Sequence, residues 1–189
     1  MYSYFLTGRT RGEFQKHVAA WRSCTKCKIG ELCANHVFYR GVIPCEILFL
    51  GEAPGENEDR KGYPFVGRAG YLLDKLISQS GIDAFTYAIT NTVMCRPTIG
   101  SQASNRQPSL AEVENCAPRV LDFISLAAPK VVVALGRVAS SWVEENPDVF
   151  QDVVHLQHPS FILRKGGVHT PEFKVALEKL KEWVFETTA

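Results

Sequence analysis

The chain has 189 residues, of which 46% are hydrophobic and 22% are charged, and its formal net charge at pH 7 is +1. This length and composition suit a single domain over residues 1–189 with a substantial core, and the charge alone indicates no polyanionic partner. No apolar run approaches the roughly 20 residues that span a bilayer and the first residues lack a basic secretory start, so we expect a cytoplasmic protein without membrane contact.

Helices and strands are predicted to alternate along the chain. The predicted helices cover residues 11–22, about 70–79, 109–126, a short segment after Gly136, and 172–185, and the third begins with a Ser109–Glu112 capping box. The predicted strands cover residues 47–50, 87–90, 130–135 and 153–156. Because these strands are short and apolar on both faces, the pattern predicts an α/β fold with a small, mainly parallel four-stranded sheet covered by helices on both sides.

Polar or glycine residues follow each predicted strand, namely Glu52, Asn91, Gly136 and His158. The carboxyl ends of parallel strands meet at one edge of a sheet, so we expect these residues to converge there. The segment over residues 51–70 is rich in glycine, proline and carboxylates, and it leads from a buried strand to a helix. This composition exceeds what a connection needs and predicts a ligand site.

Six cysteines are present: Cys24, Cys27, Cys33, Cys45, Cys95 and Cys116. The Cys24-x-x-Cys27 spacing lets two thiolates reach one metal centre, and Cys95 and Cys116 could complete four-thiolate ligation. The spacing favours metal ligation over free thiols. It does not distinguish zinc from an iron–sulfur cluster, and it does not exclude Cys33 as a ligand.

Short stretches with distinctive residues follow one another over residues 24–164. They are Cys24-x-x-Cys27, Gly51-Glu52-Ala53-Pro54-Gly55, Gly62-x-Pro64-Phe65-Val66-Gly67-x-Ala69-Gly70, Thr90-Asn91, Cys95-Arg96-Pro97, Asn105-Arg106-x-Pro108, Cys116 and His158-Pro159-Ser160. This ordered set resembles the family 4 uracil-DNA glycosylases, the iron–sulfur branch of the uracil-DNA glycosylase superfamily.

The resemblance implies a three-layer α/β/α fold and a [4Fe–4S] cluster held by Cys24, Cys27, Cys95 and Cys116. It also implies a monofunctional DNA glycosylase of base excision repair, which hydrolyses the N-glycosidic bond of a flipped-out uracil and leaves an abasic site. The expected partner is single- or double-stranded DNA, and the expected protein is a nucleoid-associated monomer. Backbone cleavage is not expected, because no lysine among these stretches suggests Schiff-base chemistry.

The resemblance also implies roles for residues of the base pocket, which are Glu52, Ala53, Phe65, Asn91 and His158. Phe65 would stack on the base and Asn91 would hydrogen-bond the imide edge of uracil. His158 would stabilise negative charge on the departing base.

The group that activates water is the open role. Ala53 stands where the best-known branch of the superfamily has an aspartate, as in family 4 generally. By position in the motif, Glu58 is the best candidate for this role, and Glu52 resembles a residue that positions the base or the loop.

Further residues are expected to contact DNA: Ser160, Leu163, Arg164, Asn105 and Arg106. Leu163 would act as a wedge between base steps and Arg164 would bind a phosphate.

Two departures from the family pattern leave the substrate open. Residues 98–104 look like an insertion, and the stretch over residues 28–45, with Cys33, looks non-standard. Alternatives to uracil excision are a glycosylase for a modified pyrimidine of the kind found in phage DNA, a non-catalytic module that binds damaged DNA, and a zinc-stapled nucleotide-binding hydrolase.

Overall fold

The computed structural model describes residues 5–6, 8–99 and 104–188. Its helices are α1 (Gly8–Trp21), α2 (Lys28–Leu32), α3 (Glu56–Lys61), α4 (Arg68–Ser80), α5 (Leu110–Ala127), α6 (Arg137–Glu144), α7 (Pro159–Lys165) and α8 (Pro171–Thr188). Its strands are β1 (Phe5–Leu6), β2 (Tyr39–Ile43), β3 (Ile47–Gly51), β4 (Tyr87–Asn91), β5 (Thr98–Ile99), β6 (Ser104–Asn105), β7 (Val131–Leu135) and β8 (Asp152–Leu156).

Within the described residues, the central sheet has six strands in the order β1-β2-β4-β3-β7-β8. The strands β4, β3, β7 and β8 pair in parallel, whereas β2 is antiparallel to β4. The mainly parallel sheet is confirmed, but the predicted number of four strands is wrong, because β2 and the two-residue β1 extend one edge. Arg40 and Gly41 at the centre of β2 interrupt its apolar pattern, which explains why the sequence did not predict this strand.

Each face of the sheet carries its own core, because successive strand residues point to opposite sides. One core joins the sheet to α1, α5 and α6 through residues such as Leu50, Phe14 and Phe123. The other joins it to α4, α7 and α8 through residues such as Phe49 and Leu73. The three-layer α/β/α arrangement is therefore confirmed.

The capping box predicted at Ser109 forms at the start of α5. The Ser109 Oγ accepts the Glu112 N–H at 3.3 Å, and the Glu112 carboxylate accepts the Ser109 N–H at 2.7 Å. The longer predicted helices all occur, with ends shifted by a few residues, and the structure adds three short helices that the sequence does not predict, α2, α3 and α7. None of the described helices is both long and apolar enough to cross a membrane.

Candidate active site

A cleft of about 1180 Å³ lies at the carboxyl ends of the parallel strands. Its lining includes Glu52, Asn91, Gly136 and His158, so the predicted convergence of these residues is confirmed. Typical small-molecule pockets have volumes of about 300–1,000 Å³, so this cleft is large enough for a compact ligand such as a single nucleotide base.

Asn91 ends β4 with its side chain buried in the wall of the cleft. The residue is 1% exposed, and neither Oδ1 nor Nδ2 has a hydrogen-bond partner among the described residues. Arg119, on α5, is fully buried behind it and donates to the carbonyl oxygens of Asn91 and Thr92 and to Thr90 Oγ1. An unpaired buried amide costs about 1–3 kcal/mol, which a bound ligand could recover.

Phe65 lies against Asn91 in a conformation that is unusual for an aromatic residue, with a φ of 54°. Two glycines make this arrangement possible. A Cβ on Gly51 would lie 2.4 Å from Asn91 Oδ1 and 2.6 Å from the Phe65 ring, and a Cβ on Gly70 would lie 1.7 Å from the Phe65 carbonyl oxygen. Strand β3 and helix α4 therefore close around the amide and the ring only because these positions lack side chains.

The His158 ring lies next to Phe65, with ring centroids 5.7 Å apart. Its Nδ1 accepts the Ser160 N–H at 3.1 Å, so the neutral ring carries its proton on Nε2. Burial, assisted by the charge of Arg164, lowers the pKa of His158 to about 4. At neutral pH the ring is therefore an uncharged Nε2–H donor in the cleft wall.

The two candidate carboxylates differ in their surroundings. Glu58 accepts three backbone N–H groups, from Val66 at 2.9 Å, Gly67 at 2.7 Å and Gly55 at 3.1 Å, and so links the start of α3 to the start of α4. Glu52 lines the cleft next to Ala53, and burial raises its pKa against the opposing charges of Arg137 and Arg164.

Helix α7 carries three of the residues expected at DNA. Arg164 is exposed at the cleft, with Nη1 3.4 Å from Ser160 Oγ. Leu163 is half-buried and packs on the core beneath α4 and α8, outside the cleft lining.

The apparent insertion at residues 98–104 forms the antiparallel pair β5–β6 at the cleft rim, although its residues 100–103 lie outside the described chain. Asn105 accepts from Arg96 Nε at 2.7 Å. Arg106 makes a bidentate ion pair with Glu112 at 2.7 and 2.8 Å and also donates to the Thr98 carbonyl oxygen. Arg106 thus fastens the hairpin to the start of α5, while both residues line the cleft.

The four cysteines predicted as ligands line one small pocket away from the cleft. Cys24 and Cys27 lie between α1 and α2, Cys95 follows β4, and Cys116 is on α5. Cys45 is buried elsewhere, and burial raises the pKa of its thiol to about 12.

Cys33 lies next to the four-cysteine pocket. Its thiol donates to the Gly30 carbonyl oxygen at 3.7 Å, and its interaction with the Cys95 thiol lowers the pKa of Cys33 and raises that of Cys95. His36, which the sequence did not single out, joins these two thiols, with the three potential ligand atoms within 4.8 Å of one another.

Arg119 and His36 are two polar residues near these sites that the sequence did not predict. Arg119 had a usable signal, since it shares the helix face of Cys116, Val120 and Phe123 by its spacing. An arginine on the buried face of a helix needs buried hydrogen-bond acceptors nearby.

Comparison with known proteins gives a consistent result. The family model described as the Uracil DNA glycosylase superfamily matches residues 38–181. The Type-4 uracil-DNA glycosylase of Thermotoga maritima is 38% identical over 157 residues, which cover 76% of this chain and 79% of that protein. The solved structure of Pedobacter heparinus SMUG2 shares the fold, with a TM-score of 0.58, 16% identity and 76% of each chain covered.

Two further relatives match over a smaller share of their own length. The Type-4 uracil-DNA glycosylase of Sulfurisphaera tokodaii is 37% identical over 142 residues, and that of Saccharolobus solfataricus is 42% identical over 123 residues. These matches cover 74% and 65% of this chain but only 62% and 55% of the relatives, so the chain spans less than two thirds of their length.

Proposed function

This chain belongs to the uracil DNA glycosylase superfamily and to its type-4 branch, and from this we propose that it hydrolyses the N-glycosidic bond of uracil flipped out of DNA. The product would be an abasic site for base excision repair. One observation carries the proposal: the buried, unpartnered amide of Asn91 in the cleft wall.

The Asn91 amide suits the imide edge of uracil. Its Nδ2 can donate to a base carbonyl oxygen while its Oδ1 accepts from the base N–H, so both unpartnered atoms become satisfied. Phe65 would stack on the base beside it, and Ala53 and Glu52 would complete the pocket. Stacking and hydrogen bonds of this kind replace the duplex contacts that a flipped base loses.

His158 would stabilise the leaving base. As the glycosidic bond breaks, negative charge develops on a pyrimidine oxygen, and the neutral Nε2–H of His158 can donate to it. One such donor in a water-poor site contributes about 3 kcal/mol to transition-state stabilisation.

We assign activation of the attacking water to Glu58, supported by its position in the cleft lining. Its carboxylate is already an acceptor for backbone N–H groups, so this role would be combined with holding the loop. Glu52, with a raised pKa, would position the base or the loop.

We propose that Cys24, Cys27, Cys95 and Cys116 hold a [4Fe–4S] cluster. One observation supports the fit: all four thiols line one pocket. The cluster would serve as a structural tie between the α1–α2 segment, the end of β4 and α5.

DNA would lie along the rim of the cleft. Arg164 and Ser160 on α7, with Asn105 and Arg106 on the opposite hairpin, would contact the backbone. Leu163 packs on the core outside the cleft lining, so it would have to leave the core to act as the predicted wedge.

The test is base release from labelled oligonucleotides that contain one uracil, single- or double-stranded, followed by alkaline cleavage of abasic sites. The parent protein should cut at uracil, and His158→Ala should lower the single-turnover rate by about 10²–10³ fold. Asn91→Ala should also slow release but retain binding to abasic DNA. His169→Ala is the control, because His169 is exposed and lies outside the cleft lining.

Other outcomes identify the alternatives. If the folded protein releases a bulkier modified pyrimidine but no uracil, the modified pyrimidine is the substrate. The β5–β6 hairpin is then the element to examine as the cause. Binding without release of any base would establish a non-catalytic module. A colourless protein, without broad absorption near about 400 nm, would contradict the cluster.

A further inference from the structure

The group formed by Cys33, His36 and Cys95 is compact enough to hold a single metal ion. Its three potential ligand atoms lie within 4.8 Å of one another. Zinc bonds of about 2.3 Å to sulfur and 2.0 Å to nitrogen place tetrahedral ligands roughly 3.5 Å apart, so only a small contraction is needed.

A hydrogen bond prepares His36 for ligation. Its Nε2 lies 3.0 Å from the Cys24 carbonyl oxygen. Because a carbonyl oxygen can only accept, Nε2 carries the proton and Nδ1 keeps its lone pair. Metal-binding histidines are commonly oriented by such a bond from the second ring nitrogen.

The segment that carries these ligands is held in place by α3. Asp59 accepts the N–H groups of Ala34 and Asn35 at 2.9 and 3.0 Å, and Asn35 Nδ2 donates to the Asp59 carbonyl oxygen at 2.6 Å. Cys33 itself donates its N–H to the Ile29 carbonyl oxygen at the end of α2. The loop between Cys33 and His36 is therefore anchored without any metal.

We propose that Cys33, His36 and Cys95 form a mononuclear site for a divalent transition metal that prefers nitrogen and sulfur ligands, such as Zn²⁺. Two thiolates and a neutral imidazole balance the charge of the ion, and water completes the four-coordinate shell. The site shares Cys95 with the four-cysteine pocket, so one chain holds either the single ion or the larger cluster. A chain without the cluster thereby keeps α2 attached to the end of β4.

The test uses the full chain with Cys24→Ser. This change removes one thiol of the four-cysteine pocket but leaves the backbone carbonyl to which His36 donates. The variant should bind one Co²⁺ per chain. The bound ion should give thiolate-to-cobalt charge-transfer absorption. Adding Zn²⁺ should displace the cobalt and abolish this absorption. Adding Cys33→Ser or His36→Ala should weaken cobalt binding at least about tenfold, whereas adding Cys45→Ser should leave it unchanged.

The proposal is overturned if cobalt binds equally well without Cys33 and His36, which would assign it to the remaining thiols of the other pocket. It is also overturned if the folded variant binds no cobalt. Circular dichroism checks folding, and Cys27→Ser replaces Cys24→Ser if the latter does not fold. None of these readouts depends on base release, so they stand apart from the test of the glycosylase proposal.

Discussion

The backbone around Asn91 is held from behind by Arg119, whose guanidinium donates to two carbonyl oxygens and to the Thr90 hydroxyl. Arg119 is fully buried, so these bonds act in a low-dielectric interior where they are strong and where their loss is costly. We infer that Arg119 is a positioning residue, which fixes the direction of the Asn91 amide that we propose reads the base.

Arg119→Met should therefore slow base release and weaken inhibition by free uracil, because the amide loses its fixed position. Arg119→Lys should recover part of both effects, since it restores the charge and some of the donors. Single-turnover rates and the inhibition constant of uracil measure this, with Arg11→Met on the exposed side of α1 as the control. Lower thermal stability with unchanged uracil inhibition would reduce Arg119 to a purely structural role.

At the scale of elements, Glu58 connects two helices that border the cleft. Replacing it with Gln keeps the shape but puts an NH₂ donor opposite a backbone N–H that needs an acceptor. Such a mismatch costs about 1–3 kcal/mol. We expect Glu58→Gln to lower both the rate of base release and the melting temperature, whereas Glu114→Gln, exposed on α5, should change neither.

The two measurements on Glu58→Gln separate its possible roles. A fall in rate with an unchanged melting temperature, together with loss of the acidic limb of the pH–rate profile, would assign the carboxylate to water activation alone.

The contact between α4 and Phe65 depends on a missing side chain. Gly70→Ala would place its Cβ 1.7 Å from the Phe65 carbonyl oxygen, so the helix or the pocket must shift. We expect a loss of about 1–3 kcal/mol in the free energy of unfolding and weaker base release.

Gly12→Ala is the matched control for Gly70→Ala. It lies within α1 with nothing within 4 Å of its Cβ, and it should gain about 0.5–1 kcal/mol. Chemical denaturation measures the free energy of unfolding of both variants. If Gly70→Ala is as stable as Gly12→Ala, the close-contact argument is refuted.

The elements and the site were not equally predictable from the sequence. Strand ends and helix starts follow from local patterns, so the convergence of Glu52, Asn91 and His158 was predictable. The three N–H donors to Glu58, the contacts of Arg119 and the closeness of His36 to Cys95 depend on packing between distant segments. Local periodicity carries no information about such contacts. Strand β2 was missed for a local reason, because Arg40 and Gly41 interrupt its apolar pattern.

At the scale of the whole molecule, two histidines with lowered pKa values, the buried His17 and the half-buried His158, link folding to pH. Burial lowers the pKa of His17 from 6.5 to about 4, with a further lowering by Arg119 and a smaller opposing effect of Asp122. His158 has a pKa of about 4 as well. Between these values the unfolded chain binds more protons than the folded one, so stability is complete above about pH 6.5 and falls as the pH drops towards 4.

His17→Leu should separate the contribution of His17 from that of the active site. Both ring nitrogens of His17 are buried without a hydrogen-bond partner among the described residues, and the ring packs against Phe14 and Phe38. The variant should be more stable than the parent at pH 7. Between pH 6.5 and 5, its free energy of unfolding should fall by about 2 kcal/mol less than that of the parent, because each pH unit corresponds to about 1.4 kcal/mol. Urea denaturation at several pH values measures this, and His169→Gln, an exposed histidine, should behave like the parent. An acid sensitivity as large as that of the parent would show that His17 is not a source of the pH dependence.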